Sequence, residues 1–197
     1  MTLLNLHTHT PLPAGEHAIS SRGLHPWHVD AHWADRLAAI AAATDWLILG
    51  ECGLDKLCQT PYSLQTTAFE AQIALSEAMH KPVLIHCVHA MDDVLRLHAR
   101  ATQPWVWHGF RGKPEMLRQL LRAGFHVSFG PRHNTESLAA CPTDRLFLET
   151  DDTALPILPL YEQAAAVKGL TPSQLAASIW HNAEVLTGLP ASALGKA

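Results

Sequence analysis

The sequence alternates short runs rich in β-branched and aromatic residues with longer stretches of helical periodicity. This alternation is typical of βα units that build a parallel sheet, and we therefore expect an α/β fold. It predicts seven strands, at residues 3–7, 18–24, 46–51, 82–87, 105–108, 126–129 and 145–149. Helices are predicted at residues 31–43, 63–80, 91–101, 114–123, 136–140, 157–168 and 172–187.

The length of the chain limits how many βα units it can hold. Its 197 residues suit one domain, whereas a full barrel of eight units takes about 250 residues. No stretch rich in proline, glycine or serine is long enough to divide the chain. We expect a single domain over residues 1–197, with any barrel shortened.

Charge and composition exclude several classes of protein. The formal charge of −4 is not that of a protein that grips long nucleic acids, so any such contact should be local. The four cysteines form no C-x-x-C pair, and the N-terminus lacks the pattern of a signal peptide, which indicates a cytoplasmic location. No apolar run approaches the roughly 20 residues of a membrane span, so we expect no membrane association.

Metal-binding side chains recur where the predicted strands end. The chain has 14 histidines, as many as its lysines and arginines together. His7 and His9 end the first strand, Glu51 ends the third, His86 the fourth and His108 the fifth, and Asp151 follows the seventh. In parallel barrels the carboxyl ends of the strands carry the catalytic residues. In addition, two residues spaced like His7 and His9 on a strand point to the same face.

Four imidazoles and two carboxylates are a donor set for Zn, Mn, Co or Ni, with Mg also among the expected ions, and they exceed the needs of one tetrahedral site. Two divalent metal ions are therefore predicted. Such a pair acidifies a water molecule and stabilises negative charge on a phosphoryl or carbonyl oxygen, which indicates a hydrolase.

These residues lie within six short motifs. They are Leu6-His7-Thr8-His9, Gly23-Leu24-His25-Pro26, Gly50-Glu51-Cys52-Gly53-Leu54-Asp55, Pro82-Val83-Leu84-Ile85-His86, Trp107-His108-Gly109-Phe110 with Gly112, and Glu149-Thr150-Asp151. In this order the chain resembles the TatD-like DNase family of amidohydrolase-like, metal-dependent hydrolases, over residues 3–189. The resemblance implies a TIM-barrel-like fold, shortened here to about seven parallel strands.

The resemblance also implies roles for the site residues. One metal would be held by a first set of ligands: His7, His9, Glu51 and Asp151. Glu51 would bridge to a second metal held by His86 and His108. Asp151 would also orient or deprotonate the attacking water, and His25 would lie near the substrate phosphate or leaving group.

Three further residues have alternative interpretations. Asp55 could orient a ligand histidine, or serve equally well as a turn or helix-capping aspartate. Asn182 matches a late asparagine of the family and is better explained by a structural role. Trp27, near His25, is either a packing residue or a platform for a base.

The sequence departs from the family pattern at two places. Only residues 10–22 separate His9 from Gly23, where the family has a helix and a strand, so one βα unit is missing unless residues 10–19 form an unexpected edge. The loop after Asp151 is also short. Both changes predict a more open site, suited to DNA ends or small phosphodiesters.

We therefore predict a phosphodiesterase or DNase that trims nucleic-acid ends from the 3′ side. A second interpretation is an amide hydrolase or deaminase with the same metals, although Glu51 stands where several amide hydrolases use a modified lysine. A third is a catalytically silent metal-binding protein that serves a protein partner. We expect a monomer.

Overall fold

The computed structural model describes residues 2–195, and its regular elements alternate strands with helices. The strands are β1 (Leu3–Asn5), β2 (Glu16–Ala18), β3 (Ser21–Arg22), β4 (Ile48–Asp55), β5 (Val83–Val88), β6 (Trp105–Trp107), β7 (His126–Phe129) and β8 (Leu146–Leu148). The α-helices are α1 (Trp33–Ala42), α2 (Tyr62–Met79), α3 (Met91–His98), α4 (Pro114–Arg122), α5 (Thr135–Ala140), α6 (Leu158–Lys168) and α7 (Pro172–Thr187). Short 3-10 helices lie at Pro26–His28, Thr143–Arg145 and Ala191–Leu194.

All seven predicted helices are present, with ends that shift by a few residues. The predicted strand over residues 18–24 is wrong: the chain bends there and forms two short strands, β2 and β3. Between residues 2 and 195 there are thus eight strands rather than seven. The unexpected edge forms because Glu16–Ala18 pairs in parallel with Leu3–Asn5 without an intervening helix.

The chain divides into two compact units. One unit, here called the split unit, comprises residues 2–19 and 109–195; the other, the continuous unit, comprises residues 20–108. None of the helices within the described residues has both the length and the apolar character needed to cross a lipid bilayer.

The split unit contains the parallel pairs β1–β2 and β7–β8, with helices α4 to α7. Its last α-helix, α7, has capping residues at both ends. Thr171 and Gln174 form a capping box at the start of α7, and Gly188 ends the helix in the left-handed conformation. The buried side chain of Asn182 donates to the carbonyl oxygens of Thr143 and Leu146, at 2.7 and 2.9 Å. Asn182 therefore has the structural role expected of it, tying α7 to the start of β8.

The continuous unit is a parallel sheet in the order β3-β4-β5-β6, with α1, α2 and α3. Two buried glutamines of α2 bind backbone groups that would otherwise lack partners. Gln72 accepts from the amide of Leu24 at 2.7 Å and donates to its carbonyl at 3.2 Å. Gln65 makes the corresponding pair with Asp55, at 2.8 and 3.0 Å. Helix α2 thus fixes both segments that carry polar site residues.

Strand β4 runs four residues beyond the predicted end and changes register between Leu49 and Cys52. Its two glycines permit this. A β-carbon on Gly50 would lie 2.5 Å from the carbonyl oxygen of Leu84, and one on Gly53 would lie 2.0 Å from that of His86. Both glycines also have positive φ angles, 151° and 146°. Glu51 therefore lies inside an irregular strand rather than at its end.

Candidate metal centre

Three imidazoles of the continuous unit surround one carboxylate oxygen. Oε2 of Glu51 lies 3.2 Å from Nε2 of His108, 3.5 Å from Nδ1 of His86 and 3.6 Å from Nε2 of His25. Glu51 and His108 are buried, at 8% and 9% exposure. A buried carboxylate surrounded by nitrogen donors is an arrangement that can bind a divalent cation. We call these four residues the glutamate cluster.

Asp55 determines which nitrogen His86 offers to the glutamate cluster. Its Oδ2 lies 3.4 Å from Nε2 of His86 and accepts the indole N–H of Trp27 at 2.6 Å. With Nε2–H of His86 directed at a carboxylate, the lone pair of Nδ1 is left on the side of Glu51.

Asp55 is also the turn residue of the alternative interpretation, because its Oδ1 accepts from the amide of Leu57 at 2.7 Å. Burial acts to raise the pKa of Asp55, but the hydrogen bonds from Trp27, Leu57 and His86 outweigh burial and lower it. Both interpretations of Asp55 therefore describe the same side chain, which is ionised at neutral pH.

The hydrogen bonds of His25 make its Nε2 a hydrogen-bond donor. Its Nδ1 accepts the backbone N–H of Trp27 at 3.2 Å, so the proton of the neutral ring is on Nε2, the atom that faces Glu51. Burial, together with the nearby imidazole of His86, lowers the pKa of His25 from 6.5 to about 4, against the opposing effect of Glu51. At pH 7 the ring is neutral and can donate through Nε2.

The split unit carries a second group of donors, His7, His9 and Asp151, here called the H-x-H cluster. Nε2 of His7 lies 3.2 Å from Nε2 of His9, which in turn lies 3.7 Å from Oδ1 of Asp151. Both histidines follow the end of β1, so the predicted strand over residues 3–7 is too long. The two side chains nevertheless turn to one side.

Backbone and side-chain hydrogen bonds hold the H-x-H cluster in place. Asp151 has a φ of 53°, and its N–H and carbonyl bond to the backbone of His7 and His9 at 3.1 and 2.9 Å. Buried Asn5 accepts from the amide of Thr150 at 3.0 Å and donates to its hydroxyl at 2.8 Å. Sequence reasoning missed Asn5, although a polar residue in an otherwise apolar strand is a detectable signal.

Clusters of imidazole and carboxylate donors, on parallel strands of an α/β fold and on the segments that follow such strands, are typical of metal-dependent hydrolases. The family model described as "TatD related DNase" matches residues 12–188, a span that begins just after His9. The chain belongs to this family.

Named relatives agree with this assignment. The chain is 30% identical to "3′-5′ ssDNA/RNA exonuclease TatD" of Citrobacter rodentium, over 88% of this chain and 78% of the relative. It is 32% identical to the protein of the same name in Pantoea ananatis, over 86% and 78%. It is 28% identical to "Uncharacterized metal-dependent hydrolase YabD" of Bacillus subtilis, over 80% and 70%.

Solved structures share the fold. The TatD homologue YJJV of Escherichia coli superposes with a TM-score of 0.74 at 21% identity, over 89% of this chain and 78% of that one. A TatD family hydrolase of Entamoeba histolytica gives 0.73 at 16% identity, over 87% and 74%. The expected fold class, a shortened TIM-barrel-like α/β hydrolase, is therefore confirmed.

Proposed function

We propose that this protein is a divalent-metal-dependent exonuclease that removes nucleotides from the 3′ end of single-stranded DNA. The observation that carries the proposal is the glutamate cluster, in which three imidazole nitrogens lie within 3.6 Å of one buried carboxylate oxygen. Support also comes from family membership and from the names of the relatives in Citrobacter and Pantoea.

The proposed ligands are the six residues that the sequence singled out. His7, His9 and Asp151 would hold one ion, His86 and His108 would hold the other, and Glu51 would bind both. The donor chemistry of each cluster fits a divalent ion of the series Zn, Mn, Mg, Co and Ni. We also propose that residues 1–197 act as one hydrolase domain, since the family model matches residues 12–188 and so includes segments of both units.

The bound ions would supply an acidified water and stabilisation of phosphoryl charge. The chain's own residues would take up the proton and position the phosphate. Asp151 would accept a proton from the attacking water, as a carboxylate at hydrogen-bond range can. His25, which is neutral at pH 7, would keep its proton and donate an Nε2–H hydrogen bond to a phosphate oxygen or to the leaving-group oxygen, since its Nδ1 is already an acceptor. Asp55 would keep His86 in the tautomer that offers Nδ1.

The charge of the chain supports a short contact with the substrate rather than a long one. With a formal charge of −4, binding should depend on the few groups near the scissile phosphodiester. DNA ends and small phosphodiesters fit this requirement. The four cysteines are free thiols, which suits the reducing cytoplasm that we propose as its location. We propose that the protein acts as a monomer.

The test is digestion of single-stranded DNA, labelled at its 5′ end, by purified protein with Mn, Mg or Zn and with EDTA. We expect metal-dependent shortening from the 3′ end. Asp151→Asn should lower the rate by at least about 100-fold, because it removes a ligand and the proton acceptor. The matched control is Asp152→Asn, an adjacent exposed carboxylate paired with Arg132 at 3.3 Å, which should leave the rate within a factor of two or so.

Two outcomes would contradict the proposal. If wild type binds metal but cleaves no DNA and does hydrolyse amide or amidine substrates, the alternative hydrolase is correct. If it binds metal but hydrolyses neither DNA nor amide and amidine substrates, the protein is the catalytically silent metal-binding protein of the third interpretation.

A further inference from the structure

Trp27 is an exposed aromatic side chain that is held in a fixed position. Trp27 is 58% exposed, yet its indole N–H donates to Asp55 at 2.6 Å and its backbone N–H donates to His25 at 3.2 Å. One edge of the ring is therefore anchored while much of its surface is open. A planar ligand can stack on such a ring with little further loss of side-chain entropy.

Trp27 forms one wall of a pocket of about 490 Å³ within the continuous unit. The volume lies in the range of small-molecule sites, roughly 300–1,000 Å³. Leu57 and Val88 add apolar surface, and Leu57 is itself 71% exposed. Gln59 and Thr60 supply polar groups to the same pocket. An apolar wall combined with hydrogen-bonding groups matches a ligand that has a flat face and a polar edge.

The pocket lies beside the glutamate cluster. The ring centroid of Trp27 is 6.0 Å from that of His86 and 5.0 Å from that of His25. Both are residues to which we assign a role at the scissile phosphate. A nucleotide whose phosphate is held there would bring its own base, or that of its neighbour, next to the indole.

The charges of the pocket favour a neutral ring over a phosphate. Among the described residues that line it, none is basic, and Asp55 contributes a carboxylate. Lys56, although adjacent in sequence, forms an ion pair with Asp93 at 3.0 Å and lies over the ring of Tyr62. A phosphate would meet an acidic group there without a cation to balance it.

We propose that this pocket binds one unpaired nucleobase of the substrate strand, stacked on the indole of Trp27 with its polar edge toward Gln59 and Thr60. This inference rests on the proposed function and adds a subsite to it. Stacking does not depend on the identity of the base, so the pocket would hold a strand end of any sequence. It would also explain how an acidic protein retains a strand with few phosphate contacts.

The test compares two variants that both lose the indole N–H. Trp27→Phe keeps an aromatic face, whereas Trp27→Leu removes it, so their difference isolates stacking from the hydrogen bond to Asp55. Binding is measured by fluorescence anisotropy with a labelled single-stranded oligothymidylate, and with the same strand made abasic at its last two 3′ positions. All proteins carry Asp151→Asn and contain Mn, so that the strand is not consumed. Val185→Ala, at an exposed apolar residue outside the pocket lining, is the surface control.

Trp27→Leu should weaken binding of the base-bearing strand by about 5- to 150-fold, the range expected for one base on an aromatic ring. Trp27→Phe should retain most of the affinity, and Val185→Ala all of it. The abasic strand should bind equally weakly to every variant.

Equal affinity of Trp27→Leu and Trp27→Phe for the base-bearing strand would overturn the inference, as would equal binding of the abasic and base-bearing strands by the protein with Trp27 intact. A failure of the proposed function would give a different result from a failure of this inference. If wild type cleaves no DNA but binding still depends on the base and on an aromatic residue 27, the activity is wrong and the subsite stands.

Discussion

Asp55→Asn tests how the structure orients a proposed metal ligand. The carboxylate of Asp55 accepts three N–H groups: Trp27 and His86 at Oδ2, and Leu57 at Oδ1. An asparagine replaces one of these oxygens with an NH2 group. Whichever way the amide is turned, one or two N–H donors then face another donor.

The expected magnitude follows from those contacts. Leaving a buried donor without an acceptor costs about 1–3 kcal/mol, and the loss of a carboxylate behind a ligand histidine lowers metal affinity by about 10- to 100-fold. The second figure corresponds to about 1.4–2.8 kcal/mol. We therefore expect Asp55→Asn to bind Zn about 10- to 100-fold more weakly. Without the carboxylate, the proton of His86 is no longer held on Nε2, and the lone pair of Nδ1 is no longer always available to the metal.

The assay is competition for Zn with a chromophoric chelator, alongside a thermal unfolding curve for each protein. Asp93→Asn is the matched control, since Asp93 is another carboxylate of the continuous unit that accepts several hydrogen bonds, from Tyr62 and Arg96 among others. It should alter stability without altering Zn affinity. A folded Asp55→Asn protein with wild-type Zn affinity would refute the reasoning.

Two further predictions concern stability. Gly53→Ala should lower the free energy of unfolding by about 3 kcal/mol or more, since its β-carbon would lie 2.0 Å from the carbonyl oxygen of His86 at a φ of 146°. The control is Gly169→Ala, at a helix end with open space, which should lower it by only about 1 kcal/mol in the same denaturant titration. Equal losses of stability in the two variants would contradict the argument. Burial, with a contribution from Arg145, lowers the pKa of His126 from 6.5 to about 4. The unfolded chain then binds the additional proton, so this contribution to stability is complete above pH 6.5 and decreases by up to about 3 kcal/mol as the pH falls to 4. His126→Phe should flatten the measured dependence of unfolding free energy on pH over that interval, and an unchanged slope would show that other groups cause it.

The alternation of short β-rich runs with stretches of helical periodicity predicted most of the fold, because each pattern reflects which side chains of a segment are buried. Helix α7 buries apolar residues along its length and has ends that are recognisable in the sequence, Thr171 at its start and Gly188 at its end. The strand predicted over residues 18–24 failed because the split into β2 and β3 depends on pairing with β1, a contact distant in sequence. Periodicity within a short window contains no information about such a partner.

The site was predictable in its residue types but not in its supporting contacts. His7 and His9 could be paired from their spacing, and the structure places their Nε2 atoms 3.2 Å apart. The position of Glu51 inside an irregular strand could not be foreseen, because it depends on the close approach of Gly50 and Gly53 to β5. The hydrogen bond from Trp27 to Asp55 joins residues 28 positions apart and has no local signal.

The central proposal is that Glu51 binds two metal ions at once. Electron paramagnetic resonance of the protein loaded with Mn(II) tests it most directly, together with the bound metal determined by mass spectrometry. We predict two ions per chain and the signal of an exchange-coupled pair in wild type, and in Glu51→Gln the loss of that coupling with at most weakly held, isolated ions. A single ion per chain, or two uncoupled ions in wild type, would contradict the account.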